Sequence, residues 1–467
     1  MTADHCDVGS VPIDILPEDV LLEIFCFYLC AVVNHEEWET LVYVCRRWRS
    51  IVLSAPVRLG LRLVCTYRTP VRKKLEIWLA LPISIWLDCL DEEIEDELLA
   101  ALENKDRICE IYVHDNPSDH GLELLAEATE DPFPALTDLH IESVHGTPVV
   151  PDSLLRGSVP HLRLLHLERV RFPAFPKLLL SATGLVDLSL CDFAGLTPWM
   201  MVDYLPSLNR LEKLRIEDRY SEHCPDQASG YTPPLTRIVL PVLTTIAFKG
   251  GSEYLDHFFS HFDASLLNHV DIMFDDPAVF CFSQISQFIG RKESFEAFDQ
   301  AHMWLRGLFI SLILSSRKPT TGGMWLSLSM WCEDSIWQLQ SLTQVHHRFI
   351  PPFVTNGRFD DTRFKNVFLQ TGNAQWLEFV RFFTAVENLY LSERLAGFVA
   401  PVLGELSAVE SATTARDVLP ALQTLFIESL DQSECGRVRE AIGKFVVERE
   451  LTDHPVAVHR WERESYN

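Results

Sequence analysis

The sequence predicts an α/β chain: a short N-terminal helical module, then a solenoid of stacked strand–helix repeats, a curved parallel sheet with outer helices. Three observations predict it. A six-residue apolar frame, L-x-x-L-x-L with conservative replacements, recurs along the chain. Over its first seven copies the frame starts 28, 26, 23, 26, 32 and 24 residues apart, close to the period of about 20–29 residues expected of one strand plus one covering segment. Before residue 54 the frame is absent and apolar residues fall at helical spacing instead.

Bulk properties narrow the function classes. The 467 residues allow about two or three domains by length. Hydrophobic residues make up 47% and charged residues 23%, an ordinary globular balance. Net charge is −26, from 66 acids against 40 bases, which disfavours nucleic acid as a partner because phosphate contacts need clustered Lys and Arg. The 12 cysteines include no C-x-x-C pair, so neither a zinc finger nor a disulfide framework is expected, and a reducing setting, cytoplasmic and/or nuclear, is. The polar first residues carry no secretory pattern. The apolar windows at 77–87 and 303–314 are shorter than the roughly 20 residues of a membrane span, so no membrane partner is expected.

Taken in order, residues 1–12 read as a flexible tail and 13–55 as the helical module. Pro17 suits a first helical turn, Glu18 and Asp19 sit at the positive end of its dipole, and Val20, Leu21, Ile24, Phe25 and Tyr28 recur at helical spacing. A second helix is expected over roughly 36–54, with Trp38, Leu41, Val42, Cys45, Trp48 and Val52 on its apolar side. Two helices this short leave an apolar face that must pack on their own domain or on a partner.

LPEDVLLEIF followed by VCRRWRSIV resembles an F-box. The resemblance departs in the middle, where Cys30–Glu36 replaces the usual short Pro-containing turn. It implies docking through Leu16, Pro17, Val20, Leu21, Ile24, Phe25 and Trp48 on a Skp1-like adapter, and through it on a cullin, in an SCF-type cullin-RING ubiquitin ligase.

Residues 56–467 read as an irregular leucine-rich-repeat domain with a C-terminal cap. A basic run from Arg46 to Lys74 holds nine bases and no acid, and an acidic amphipathic helix is expected over 88–103. The frames start at Ile108, Leu136, Leu162, Leu185, Leu211, Leu243 and Leu267, lapse over 274–375, and return at Val386 and Leu422. Each alternating end is a short strand with one face inward. One repeat cannot bury that face alone, so repeats stack. Prolines such as Pro134, Pro160 and Pro420 stop the chain just before a frame. The order F-box, irregular repeats, QWLEF, VENLYLS, LPALQTLFIE, HPVAVHRW resembles a large group of F-box proteins of mushroom-forming fungi, which implies adapter binding but no particular target.

No nucleophile elbow, P-loop, metalloprotease helix or dinucleotide fingerprint occurs, so no enzyme, cofactor or catalytic residue is expected, and His346-His347 is not read as a metal site. The candidate target-binding residues are those at outward strand positions: Tyr112, His140, His166 and Arg215, with Glu142, Glu168 and Glu217 two places further on. Stacked repeats should bring these carboxylates onto one face, suited to a basic partner or serving as a solvated sheet surface. The sequence therefore points to a substrate receptor, with a leucine-rich binding scaffold unconnected to ubiquitin as the alternative.

Overall fold

The computed structural model describes the chain except for 1–12, 32–36, 67–70, 79–80, 88–98, 115–121, 127–132, 173–176, 219–237, 275–286, 289–297, 317–324, 332–354, 362–376, 407–417, 429–434 and 462–467, together with 123–124, 145, 158, 197, 307–308, 378–379 and 382. The expected N-terminal tail, most of the acidic helix and the HHRFIPPF connection thus lie outside the described residues. The chain divides into two compact units, Met1–Ala182 and Thr183–Asn467. The helical module and the first three frames belong to the first.

The first unit opens with three helices, α1 (Glu18–Ala31), α2 (Trp38–Val44) and α3 (Arg46–Ser54). The single second helix expected from the sequence is therefore two. Cys45 is extended (φ −157°, ψ 169°), and its Sγ accepts a hydrogen bond from the Trp48 N–H at 3.4 Å, capping α3. That bond satisfies one of the orphan donors at the new helix start, so the chain breaks here without glycine or proline.

Beyond the helices lie β1 (Leu63–Cys65), β2 (Ile83–Leu87), β3 (Ile108–Val113), β4 (Asp138–Glu142) and β5 (Leu164–Glu168), paired in that order and all parallel. Strands β1 and β2 precede the first recognised frame. The helices pack onto this array: Trp38 donates its indole N–H to the Arg62 carbonyl at 3.0 Å and meets Trp78 edge-on at 5.2 Å, while Lys74 pairs with Glu39 at 3.0 Å.

The second unit contains β6 (Asp187–Cys191), β7 (Lys213–Glu217), β8 (Ile238–Val239), β9 (Thr245–Gly250), β10 (Phe262–Asp263), β11 (His269–Phe274), β12 (Gln300–Arg306), β13 (Phe309–Ser315), β14 (Trp325–Trp331), β15 (Asn356–Asp361), β16 (Asn388–Leu391), β17 (Thr424–Glu428) and β18 (Ala457–Trp461). Strands β8 and β10 form a small pair of their own; the others run β6-β7-β9-β11-β14-β13-β12-β15-β16-β17-β18. Every neighbour is parallel except β13, which is antiparallel to both β12 and β14. The sheet is thus parallel-dominated rather than purely parallel. Among the described residues, the stretch where the frame lapses contributes β12, β13, β14 and β15, of which β12 and β13 pair antiparallel, as strands do without a helical crossover.

The frame does in three dimensions what its spacing requires. The first, fourth and sixth positions of all nine copies, from Ile108, Ile111 and Val113 to Leu422, Leu425 and Ile427, are buried. Strand starts share one device: the carbonyl just before one strand accepts two successive N–H groups of the next repeat. Thr137 accepts from Arg163 and Leu164, Glu212 from Thr244 and Thr245, and Glu387 from Gln423 and Thr424. This fixes the register, since a one-residue slip would turn each buried row outward.

Candidate functional site

On the first unit, the sheet face opposite the frame residues carries a ladder of rings. Trp86, Tyr112, His140 and His166 occupy one row, being register partners across β2, β3, β4 and β5. Their centroids are 4.9, 4.2 and 4.0 Å apart in sequence, with interplanar angles of 24°, 21° and 10°. Neighbouring parallel strands lie about 4.8 Å apart, so rings at one register position stack in contact. All four are half-buried.

Carboxylates flank the ladder on both sides. On one side Glu110 accepts from Arg62 and from the Ser84 hydroxyl, each at 2.5 Å, and Asp138 is its register partner. On the other side Glu142 and Glu168 are register partners. Glu142 Oε2 lies 3.1 Å from His114 Nδ1 and 3.7 Å from His140 Nε2, and Glu168 lies 3.5 Å from His166 Nε2. Arg169 bridges the two, 3.1 Å from Glu168 and 3.9 Å from Glu142. Burial opposes ionisation of Glu168, but the hydrogen bond and charge of Arg169, helped by His166, outweigh it and hold the carboxyl below its ordinary pKa. Burial, then the neighbouring His166 ring, lowers the His140 pKa from 6.5 to about 4, so this imidazole is neutral at pH 7.

The sequence-selected target-binding residues therefore fall into two groups. Tyr112, His140, Glu142, His166 and Glu168 come together on the first unit. Arg215 and Glu217 lie on β7 in the second, where Arg215 Nε donates to Glu217 at 2.8 Å. The carboxylates are not the bare row that the sequence suggested, since Glu142, Glu168 and Glu217 each have a basic side chain against them. Among the described residues no group of three or more His, Cys, Asp or Glu side chains is placed to hold a metal ion, and no helix is long and apolar enough to cross a membrane.

A second ladder occupies the far end of the second unit. Arg358, Tyr390, Phe426 and His459 share a row across β15 to β18. Tyr390 and Phe426 stack at 4.3 Å and 5°. Trp461 reaches back to donate its indole N–H to the Leu391 carbonyl at 3.1 Å and meets Tyr390 edge-on at 5.9 Å. The Arg358 guanidinium lies 4.7 Å from the Trp461 ring centre.

In the helical module the residues selected for docking also separate. Leu21 and Phe25 are buried, Phe25 against Trp48 at 4.8 Å, so they hold the module together and are not open to a partner. Leu16 is half-buried, its carbonyl accepting from Arg47 at 2.6 Å, and Pro17 is exposed. The open stripe is Val20, Ile24 and Phe27, exposed by 42%, 40% and 75%, with Tyr43 and Val44 exposed on α2. Helix α1 is thus apolar on two sides, and among the described residues Leu21, Leu22 and Phe25 are buried while Val20, Ile24 and Phe27 are exposed.

Sequence reasoning missed Trp86, Arg169, Phe27 and Tyr43 as surface-forming residues, and read Trp461 only as part of the C-terminal cap. The alternation Leu81, Ile83, Ile85, Leu87 was the available signal for β2 and hence for Trp86. Phe27 continues the Val20–Ile24 spacing by three residues, which also stood in the sequence.

No protein-family model matches the chain, and no curated protein matches it. Among solved structures it is similar to the leucine-rich repeat-containing protein LegL7 from Legionella pneumophila, at 11% identity over 86% of this chain and 91% of that one, with a TM-score of 0.19. A likeness that low carries no argument. The strand order and the buried frames define a mixed α/β chain with parallel-dominated sheets, compatible with a leucine-rich-repeat-like solenoid.

Proposed function

We propose that this chain is a target-recognition subunit without bond-making chemistry of its own: the helical module docks on a Skp1-like adapter of an SCF-type ubiquitin ligase, and the repeat sheets hold a protein target. The observation that carries the reading is the second apolar stripe of α1. With Leu21, Leu22 and Phe25 buried, α1 leaves Val20, Ile24 and Phe27 exposed on its other side among the described residues, and large exposed apolar side chains in a row mark a contact surface. The F-box resemblance of the same stretch supplies the partner.

The alternative is a protein-binding scaffold unconnected to ubiquitin, its helices serving as a cap. The contact of Trp38 with Trp78 and the Arg62 carbonyl favours it, because a cap would pack on the array in this way. Co-purification with a Skp1-like adapter separates the two. Under the receptor reading the wild type retains the adapter, and Ile24→Asp with Phe27→Asp loses it while circular dichroism stays unchanged, because a carboxylate in an apolar interface is costly. Retention by the folded double variant defeats the receptor reading.

A further inference from the structure

Resting on the reading of the sheets as target-holding surfaces, we infer that the ladder Trp86–Tyr112–His140–His166, with Glu110, Asp138, Glu142 and Glu168 beside it, binds a target segment that presents an arginine next to an aromatic residue. Three observations lead there.

The first is the ladder itself. Four half-buried rings stacked over four adjacent strands make a continuous aromatic strip on a face otherwise lined by charged groups. Ring edges point away from the sheet in such a stack, and aromatic edges favour edge-to-face contact with another ring.

The second is charge. Four carboxylates flank the strip, and among the described residues Arg62 pairs with Glu110 and Arg169 with Glu142 and Glu168. Four carboxylates beside two guanidiniums favour a negative surface, in a chain whose net charge is −26. A cationic partner is favoured, and arginine matches carboxylates in a planar, paired geometry that lysine lacks.

The third is a pairing within the other sheet face, between residues of its own strands β15 and β18. On the second unit Tyr390 meets the indole of Trp461 edge-on, the indole N–H bonds a strand carbonyl, and a guanidinium rests on the indole face. An aromatic ring topped by arginine is what this chain places beside a stacked ladder of its own. The first unit also stacks rings at one register position, there with carboxylates beside them, the groups that pair with a guanidinium.

The test uses the full chain and three fluorescein-labelled synthetic peptides of equal length in a Gly/Ser background. One alternates Arg with Trp, one replaces Trp by Ala, and one replaces Arg by citrulline. Fluorescence anisotropy should show the Arg–Trp peptide binding about tenfold tighter than either control, equivalent to about 1.4 kcal/mol. Tyr112→Ala should weaken it about as much, and Glu142→Gln with Glu168→Gln, which keeps side-chain shape, should do the same with circular dichroism unchanged. Equal binding of the Arg–Ala peptide reduces the surface to bulk charge attraction and overturns the inference. So does binding that survives the double Gln variant, or no binding by any of the three. Adapter co-purification reads a different surface, so the failure of one reading is distinguishable from failure of the other.

Discussion

The imidazoles of His140 and His166 lie face to face, 4.0 Å between centroids and 10° from parallel, on adjacent strands. Protonating His140 would put a charge against that ring in a half-buried site, beside Tyr112 and near His114, Glu142, Glu168 and Arg169. The folded pKa is depressed to about 4 from 6.5. The unfolded chain therefore binds this proton first as pH falls, and stability fully present above about pH 6.5 is lost progressively as pH drops through 4. His140→Tyr keeps a ring in the ladder and removes the titration. Urea midpoints measured from pH 7 to pH 4 should fall less steeply in this variant than in wild type. Parallel curves would show that His140 contributes nothing to the pH dependence.

Leu21 and Ile24 are three residues apart on α1, yet one is buried and the other 40% exposed. Leu21→Ala should therefore cost about 2–5 kcal/mol, the range for emptying a packed aliphatic site, and lower the midpoint of thermal unfolding. Ile24→Ala should stay within about 0.5 kcal/mol of wild type, as surface changes do. Equal destabilisation by the two would mean that α1 buries both stripes.

Much of the architecture was legible because the same three frame positions are buried in every repeat, and burial of a shared row is the strongest constraint a sheet places on sequence. Strand β2 escaped because Pro82 stands where the frame's first leucine would be, although Ile85 and Leu87 keep the fourth and sixth places. Strand β15 escaped for a related reason, with Gly357 in the fourth place facing Leu389 and Val386. Periodicity could not see the antiparallel pairing of β12 with β13, since Met303–Leu314 reads as one apolar window. On α1 the difficulty was different. Apolar residues occupy both sides of the helix, so spacing alone could not say whether Leu21 and Phe25 or Val20 and Ile24 face inward. The ladder was half legible: Tyr112, His140 and His166 followed from the frame, but the basic side chain of Arg169 that meets Glu142 and Glu168 lies outside it.

Gly250 ends β9 with φ +150°, and a Cβ there would sit 2.7 Å from the Asp218 carbonyl oxygen. Asp218 is held in place by its own N–H, which donates to the Lys249 carbonyl at 2.7 Å, so the clash is with anchored backbone. Gly250→Ala combines this overlap with a backbone conformation costly to other residues, about 1–3 kcal/mol. A denaturant melt should show that loss. A variant as stable as wild type would mean that the β7–β9 ends shift freely.

Arg358 and Trp461 meet across the second unit's sheet, and their contact can be separated from the rest of the Trp461 environment. Trp461→Phe keeps a ring near Tyr390 but removes the indole donor to Leu391, a loss of about 1 kcal/mol for one hydrogen bond. Arg358→Gln removes the cation over the ring, about 0.5–1 kcal/mol at a partly exposed site. Were the two independent, their costs would add in the double variant. Because the guanidinium lies 4.7 Å from the ring it rests on, part of its stabilisation is already gone once the indole is replaced by the weaker phenyl face. The double variant should therefore cost less than the sum of the singles, by about 0.5 kcal/mol or more. Chemical denaturation of all four proteins measures the difference directly. Strict additivity would mean that Arg358 is held by the strand alone, and would remove the internal template on which the assignment of the first ladder's ligand partly rests.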